Sequence, residues 1–128
     1  MRVAQLADRS IARAFALLVL AVATILPSGC GVDDVGPMSR LVGGRCVTDN
    51  DCIKHCITGT QFPDGYCTVS CAANSDCPGA SACVASNGGI CLATCQVAAD
   101  CTDYGPGYRC SRQTSQTPGA EPLACAGG

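Results

Sequence analysis

The apolar residues of this chain are concentrated near its start. Residues 14–26, AFALLVLAVATIL, form one apolar run, and Arg2, Arg9 and Arg13 precede it. This run is shorter than the ~20 residues that a membrane-spanning helix needs, but it matches the apolar region of a secretory signal peptide. The pattern therefore predicts that residues 1–29 are a signal peptide.

The residues PSGC follow this run at positions 27–30. Small residues before a cysteine resemble the bacterial lipobox, in which the cysteine is acylated and becomes the new N-terminus; Pro27 stands where leucine is usual. The resemblance implies that Cys30 is a lipid attachment site and that this lipid anchors the protein to its partner, a membrane. Ordinary secretion without lipid and an uncleaved anchor remain open at this point.

The cysteine count points to the same residue. The chain has 13 cysteines, and the next one after Cys30 is Cys46. Because an odd number leaves one thiol over when the others pair, a lipid on Cys30 leaves twelve cysteines for six disulfides. These twelve lie between residues 46 and 125, a density typical of disulfide scaffolds from oxidising compartments.

Glycine-rich turns and a repeat dominate the rest of the chain. Residues 31–44, GVDDVGPMSRLVGG, lack periodicity, which predicts that residues 30–44 are a lipid-anchored flexible tether. Beyond it, five residues separate two cysteines three times, in CVTDNDC (46–52), CAANSDC (71–77) and CQVAADC (95–101). An aspartate precedes the second cysteine each time, and such a fixed period marks a structural array.

The array divides the twelve cysteines into three sets of four. The repeats lie at about 46–67, 71–91 and 95–125, within a module that spans residues 45–128. If bridges stay within sets, three pairings per set are open; we favour first-to-third with second-to-fourth, because interlocked bridges hold both loops of a unit against each other. The predicted pairs are Cys46–Cys56, Cys52–Cys67, Cys71–Cys83, Cys77–Cys91, Cys95–Cys110 and Cys101–Cys125.

Composition limits the size of the core. The 48% hydrophobic content of the whole chain includes the apolar run, and the chain has no tryptophan. A module this poor in bulky side chains depends on covalent links. Turn signals at 62–66 (FPDGY), 87–89 (NGG) and 104–108 (YGPGY) border short β-rich segments. The expected fold class is small and disulfide-rich: three short cysteine-rich repeats with small β-hairpins and loops and little regular secondary structure.

Several phrases of the module resemble cysteine-rich repeat modules of predicted surface lipoproteins in myxobacteria. They are CVTDNDC, FPDGYCTVSC, DCPGASAC, GGICLATC and GYRC, and the likeness covers about residues 44–125. The resemblance implies an extracytoplasmic, disulfide-bonded module of the bacterial cell envelope, at the outer membrane or cell surface. It implies no known activity.

Charged residues exclude one class of partner. After the signal peptide the chain carries five basic and nine acidic residues, and the basic ones are scattered. No positive patch argues for nucleic acid, so we expect no nucleic-acid partner. The recurring Asp51, Asp76 and Asp100 are expected to accept backbone N–H bonds at turns. A calcium site at Asp49, Asn50 and Asp51 is the alternative, although the spacing of an EF-hand loop is absent.

Signals for catalysis or a cofactor are weak. The module has no Cys-x-x-Cys pair and a single histidine, His55, so neither a zinc site nor a thiol redox centre is indicated. His55 lies between Lys54 and Cys56 and is expected to be an exposed loop residue. We therefore predict a protein that is not an enzyme and holds no metal or cofactor.

Binding or a structural role is the remaining class of function. Aromatic residues are favoured at interfaces, and the candidate contacts for a protein or carbohydrate partner are Phe62, Tyr66, Tyr104 and Tyr108. The alternative is that these side chains cover the bridges as a minimal core. A passive spacer or matrix component is a further hypothesis.

A secreted protease inhibitor is the alternative function. Arg109 and Arg112 flank Cys110, and an inhibitor presents a basic or apolar anchor on a rigid loop. The polar stretch that follows, residues 111–122, is expected to be a mobile loop before Cys125.

Overall fold

The computed structural model describes residues 33–128, which form three antiparallel two-stranded sheets. The strands are β1 (His55–Gly59), β2 (Phe62–Thr68), β3 (Ser81–Val84), β4 (Ile90–Ala93), β5 (Tyr108–Arg112) and β6 (Leu123–Gly127). A 3₁₀ turn precedes each hairpin, at Asp49–Asp51, Asn74–Asp76 and Ala98–Tyr104. The expected fold class, a small disulfide-rich fold with three cysteine-rich repeats, is confirmed.

The three repeats share one internal geometry. In each hairpin the third and fourth cysteines of a set are directly opposite each other, as Cys83 and Cys91 are in the second repeat. Directly opposite residues present their side chains on the same face of a sheet. Each sulfur of this pair bonds to one of the first two cysteines of its set. These two cysteines flank the 3₁₀ turn in the first two repeats, whereas Cys101 lies within the longer turn of the third. Each hairpin is therefore held to its own turn.

All twelve cysteines of the described residues are bridged within their own sets. The pairs are the six predicted from the repeat: Cys46–Cys56, Cys52–Cys67, Cys71–Cys83, Cys77–Cys91, Cys95–Cys110 and Cys101–Cys125. The Cα–Cα distances are 5.9, 5.9 and 5.8 Å for the first-to-third bridges and 5.4, 5.5 and 5.4 Å for the second-to-fourth. These spans stay constant while the loops vary in length, so the turn and hairpin set the shape of a unit.

Successive repeats are joined by short β-bridges. Ser70, just after β2, pairs with Ile90 of the second repeat, and Thr94, just after β4, pairs with Ala124 of the third. The segment that leaves one hairpin therefore lies along the second strand of the next. These contacts satisfy backbone groups that a two-stranded sheet leaves open.

The third repeat also contacts the first, so the module closes on itself. Gly127, at the end of β6, donates its N–H to the carbonyl oxygen of Gln61 in the β1–β2 turn at 2.7 Å. The Tyr66 ring lies 6.1 Å from the rings of both Tyr104 and Tyr108, measured between centroids. As a result β2, β4 and β6 surround one shared core, an arrangement that a fixed repeat period alone does not indicate.

The segment before the first cysteine differs from the predicted flexible tether. Residues 34–44 form a turn in which the Gly36 N–H donates to the Val42 carbonyl at 2.9 Å, and the Val42 side chain is completely buried. Burial of Val42 in the shared core, together with the hydrogen bonds of the turn, orders these residues. The tether prediction rested on glycine content, which does not report such a contact.

This segment occupies the place of a preceding repeat. In the second repeat the Cys91 N–H donates to the Val69 carbonyl at 2.9 Å, and in the first repeat the Cys67 N–H donates to the Gly44 carbonyl at 2.8 Å. Val69 and Gly44 each stand two positions before the first cysteine of their repeat. Residues 34–44 thus cover the open edge of β2 as the end of the first repeat covers β4.

The predicted turns lie near their expected positions, with one shift. NGG forms the connection between β3 and β4, and YGPGY leads into β5. The stretch FPDGY, however, lies within β2, where Asp64 and Gly65 have φ of +63° and +76°. It is a bend inside the strand, and the hairpin turn comes earlier, at residues 60–61.

The polar stretch 111–122 is ordered by the second repeat, which differs from the predicted mobile loop. Its first two residues belong to β5. Ser115 is buried, and the Gln116 N–H donates to the Cys83 carbonyl at 3.3 Å. The exposed edge of β3 offers backbone partners that a polar loop can satisfy without apolar side chains.

Candidate functional site

Three exposed aspartates hold three equivalent turns. One carboxylate oxygen accepts hydrogen bonds from the N–H groups four and three residues earlier, at 2.8 and 3.0 Å for Asp51, 2.8 and 3.0 Å for Asp76, and 2.8 and 3.1 Å for Asp100. These backbone donors favour the charged form and lower the pKa of each carboxyl below its usual value. The expected turn-capping role is confirmed.

Further hydrogen bonds occupy oxygen atoms of the alternative calcium site. Asp49 accepts a bond from the Cys56 N–H at 2.7 Å, and the carbonyl oxygens of Asn50 and Asp51 accept bonds from the Arg40 guanidinium at 2.9 and 2.8 Å. A cation at this loop would displace these donors and face the arginine charge. The arrangement therefore favours a structural role for the acidic loop.

The sulfur atoms of each set lie close together but are oxidised. In every set three Sγ atoms lie within 4.8 Å of one another, and all of them belong to disulfides. A disulfide offers neither a thiolate nucleophile nor a thiolate ligand. His55 is exposed at the start of β1, in agreement with its expected place on the surface.

The four aromatic candidates for partner contact lie in the core, which corrects that prediction. Phe62, Tyr66, Tyr104 and Tyr108 are each less than one tenth exposed. The Tyr66 hydroxyl accepts a bond from the Ala93 N–H at 2.9 Å, and burial raises the pKa of Tyr108 to about 12. They are buried because few other bulky side chains are present to fill the space where the first and third repeats meet.

The two arginines of the inhibitor hypothesis are exposed side chains of β5. Arg109 and Arg112 flank Cys110, and β5 pairs with β6 along its whole length. Arg112 lies 3.7 Å from the carboxylate of Glu121, with both side chains largely exposed. These residues therefore belong to a paired strand and do not form a projecting loop.

Exposed apolar residues are the surface feature that sequence reasoning missed. They are Met38, Val47, Ile53, Val97 and Leu123. Val47 also lines an open groove of about 350 Å³ together with Thr58, Phe62 and Pro63. The sequence signal for this exposure is a large apolar residue inside a turn, such as Met38 in GPMSR, because a turn rarely buries such a side chain.

The anchor region consists of the predicted signal peptide 1–29 and Cys30, and it lies outside the described residues. Among residues 33–128 no helix is both long and apolar enough to cross a membrane. Comparison of the chain with protein-family models, with curated proteins and with solved structures finds no match. The bridges nevertheless define the class of protein: it is an extracytoplasmic, disulfide-stapled module.

Proposed function

We propose that this chain is a lipid-anchored module of a bacterial cell envelope, held at the outer membrane or cell surface, with a binding or structural role. The observation that carries the proposal is the complete pairing of the twelve cysteines from Cys46 to Cys125. Cys30 is then the one cysteine without an internal partner in the scheme, and it ends the lipobox-like sequence PSGC that follows the apolar run.

Acylation of Cys30 is what retains the module at the membrane. Each buried methylene of an acyl chain contributes ~0.8 kcal/mol, and several chains hold a protein far more firmly than one. The likeness to surface lipoproteins of myxobacteria supports the same location. Cleavage before Cys30 removes the signal peptide and leaves the disulfide module anchored to the membrane outside the cytosol.

The proposed role is not catalytic. A nucleophile requires a base within hydrogen-bonding reach, and the exposed His55 stands among bridged cysteines. The partner class that suits the module is a protein or carbohydrate surface. Because the aromatic side chains are internal, the exposed apolar residues Val47 and Val97 replace them as candidate contacts.

Intact mass of natively isolated protein tests the anchor. We expect the mature chain to begin at Cys30 with an added lipid mass, to bind no alkylating agent before reduction, and to bind twelve equivalents after it. A Cys30→Ser variant is the control and should leave the membrane fraction. Thirteen alkylated cysteines without lipid mass would show that the anchor is absent.

A secreted protease inhibitor is the alternative function. Its supporting feature is the pair of exposed arginines, Arg109 and Arg112, on a strand fixed by the Cys95–Cys110 bridge. Titration of purified module against a panel of serine and cysteine proteases tests it. Stoichiometric inhibition that an Arg109→Ala variant abolishes would establish the alternative, and an inactive module would remove it.

A further inference from the structure

We infer that the turn and loop around Met38 and Ile53 form the face on which the module rests against a lipid surface. The inference rests on the proposed anchor at Cys30 and names the contact that this anchor brings about. The anchor-side face, as we call it, consists of Met38, Arg40, Ile53 and Lys54.

The length of chain between anchor and module limits their separation. Three residue steps separate Cys30 from Asp33, and an extended chain covers at most 3.3–3.6 Å per residue, so Asp33 stays within roughly 11 Å of the acylated residue. A free tether as far as residue 44 would allow about 50 Å. The ordered turn of residues 34–44 removes that freedom, and the first repeat must therefore stand at the membrane surface.

The anchor-side face lies beside the start of the described residues, because the Ser39 hydroxyl, one residue after Met38, donates to the Asp34 carbonyl at 2.8 Å. The Ile53 N–H donates to the Arg40 carbonyl at 2.8 Å, and the Arg40 guanidinium binds the carbonyl oxygens of Asn50 and Asp51. Met38 lies two residues before Arg40 in the same turn. The side chains of Met38 and Ile53 are 91% and 59% exposed, so two apolar groups stand on neighbouring segments that are fixed to each other.

The chemistry of the face fits a lipid surface brought close by an anchor. Met38 and Ile53 have no hydrogen-bonding groups to direct a specific polar contact, and the exposed Lys54 can lay its alkyl stem on apolar material with its ammonium group in water. Two basic residues on the face are balanced by nearby exposed acidic residues, Asp33, Asp34, Asp49 and Asp51. Charge therefore does not recruit the face to anionic lipid, and contact depends on acylation.

Tryptophan fluorescence tests the inference, because the chain has no tryptophan of its own. Single Met38→Trp and Ile53→Trp variants of the acylated protein are incorporated into phosphatidylcholine vesicles that contain lipid with brominated acyl chains. We expect a blue-shifted emission and strong quenching by bromine at both positions. The matched control is Ser75→Trp, in the exposed turn of the second repeat, whose emission should be unchanged.

The outcomes separate this inference from the proposed anchor. Acylated protein in which tryptophan at residues 38 and 53 is no more quenched than at 75 overturns the inference and leaves the anchor standing. A mass without lipid, measured before any vesicle is made, overturns the proposed function instead. Alkylation of each variant without reduction verifies that the bridges have formed, and an Ile53→Trp, Cys30→Ser protein should show no quenching.

Discussion

Two glycines of the module matter because of what lies beside them. Gly65 and Gly89 stand two positions before the last cysteine of the first and second repeats, and their φ values are +76° and +110°. A Cβ atom at either position would overlap the carbonyl oxygen of the first cysteine in the same repeat. The glycine that recurs in GYC and GIC thus reflects a close approach of two backbone segments. The third repeat has Leu123 at this position.

Substitution of Gly89 by alanine should therefore destabilise the module more than the same change at its neighbour. We expect Gly89→Ala to lower the free energy of unfolding by about 2–5 kcal/mol, from an unfavourable φ plus a steric overlap. Gly88→Ala, at φ +82° with open space around its Cβ, should lose about 1–2 kcal/mol. Urea unfolding without reductant measures both, and equal losses would contradict the steric argument.

The buried Tyr66 hydroxyl makes a second prediction at this scale. Tyr66→Phe leaves the Ala93 N–H without its acceptor in the core, which should lower the free energy of unfolding by about 1–3 kcal/mol. Tyr108→Phe is the matched control, since its hydroxyl makes only a long bond of 3.4 Å to the Gly65 carbonyl, and its loss should be smaller. Thermal unfolding of both variants compares them, and a larger loss for Tyr108→Phe would contradict the assignment.

The capping aspartates give a dependence on pH. Their pKa values are lower in the folded than in the unfolded chain, so their contribution is fully present above the ordinary aspartate pKa and is lost as the pH falls through the lowered folded values. We expect thermal stability to be level near neutrality and to decline below about pH 4. The decline should be shallower in Asp76→Ala. An identical pH profile for that variant would contradict the capping role.

The combination of turn and hairpin is the element that the sequence predicts best. A constant five-residue gap between cysteines specifies a fixed turn, and the recurring aspartate shows where its backbone donors are satisfied. Asp49 and Asn74 add one more bond, to the N–H groups of Cys56 and Cys83. Ala98 holds the corresponding position in the third repeat and has no side-chain acceptor, and there the 3₁₀ turn is longer.

Removal of one bridge tests how far a repeat depends on its own links. The Cys77–Cys91 bridge closes 14 residues of chain, for which the chain-entropy model gives roughly 3 kcal/mol. We expect the double variant Cys77→Ala, Cys91→Ala to lose about that much and to keep five bridges by non-reducing peptide mapping. Scrambled bridges in the other two repeats would show that the sets do not form independently.

Long-range packing is the part that sequence reasoning could not predict. The β-rich segments YCTVSC (66–71) and ICLATC (90–95) contain β-branched and apolar residues that favour strands, whereas β3 (SACV) and β6 (LACAG) are too rich in small residues to give a signal. The burial of Val42 and of the four aromatic residues follows from contact between the first and third repeats. A local pattern contains no information on such a contact.

At the scale of the whole molecule, covalent links and a small shared core stabilise the same arrangement. The buried apolar side chains of β2, β4 and β6 meet at the centre, and the bridges of the second and third repeats belong to the same buried cluster. The bridges of the first repeat form a smaller buried cluster of their own. Six bridges at roughly 3 kcal/mol each would together exceed the ~5–15 kcal/mol of net stability of an ordinary domain. The bridges therefore dominate, even if their contributions do not add fully.

Full reduction should consequently unfold the module. With all six disulfides opened, the unfolded chain regains its conformational freedom and the small core cannot offset it. We expect loss of the far-UV circular dichroism signal and rapid proteolysis after treatment with strong reductant, and recovery on reoxidation. Oxidised protein in the same buffer is the control. A reduced module that keeps its spectrum and its resistance to proteolysis would refute this account.

The hydrogen bond between Gly127 and Gln61 restricts how a gene for such a chain can evolve. In linear repeat proteins each unit contacts only its neighbours, so duplication or deletion of a unit leaves the others intact. Here an inserted fourth unit would separate the two partners and open the tyrosine cluster between the first and last units. Homologues of this chain should therefore differ in the lengths of their connecting loops while the number of units stays at three.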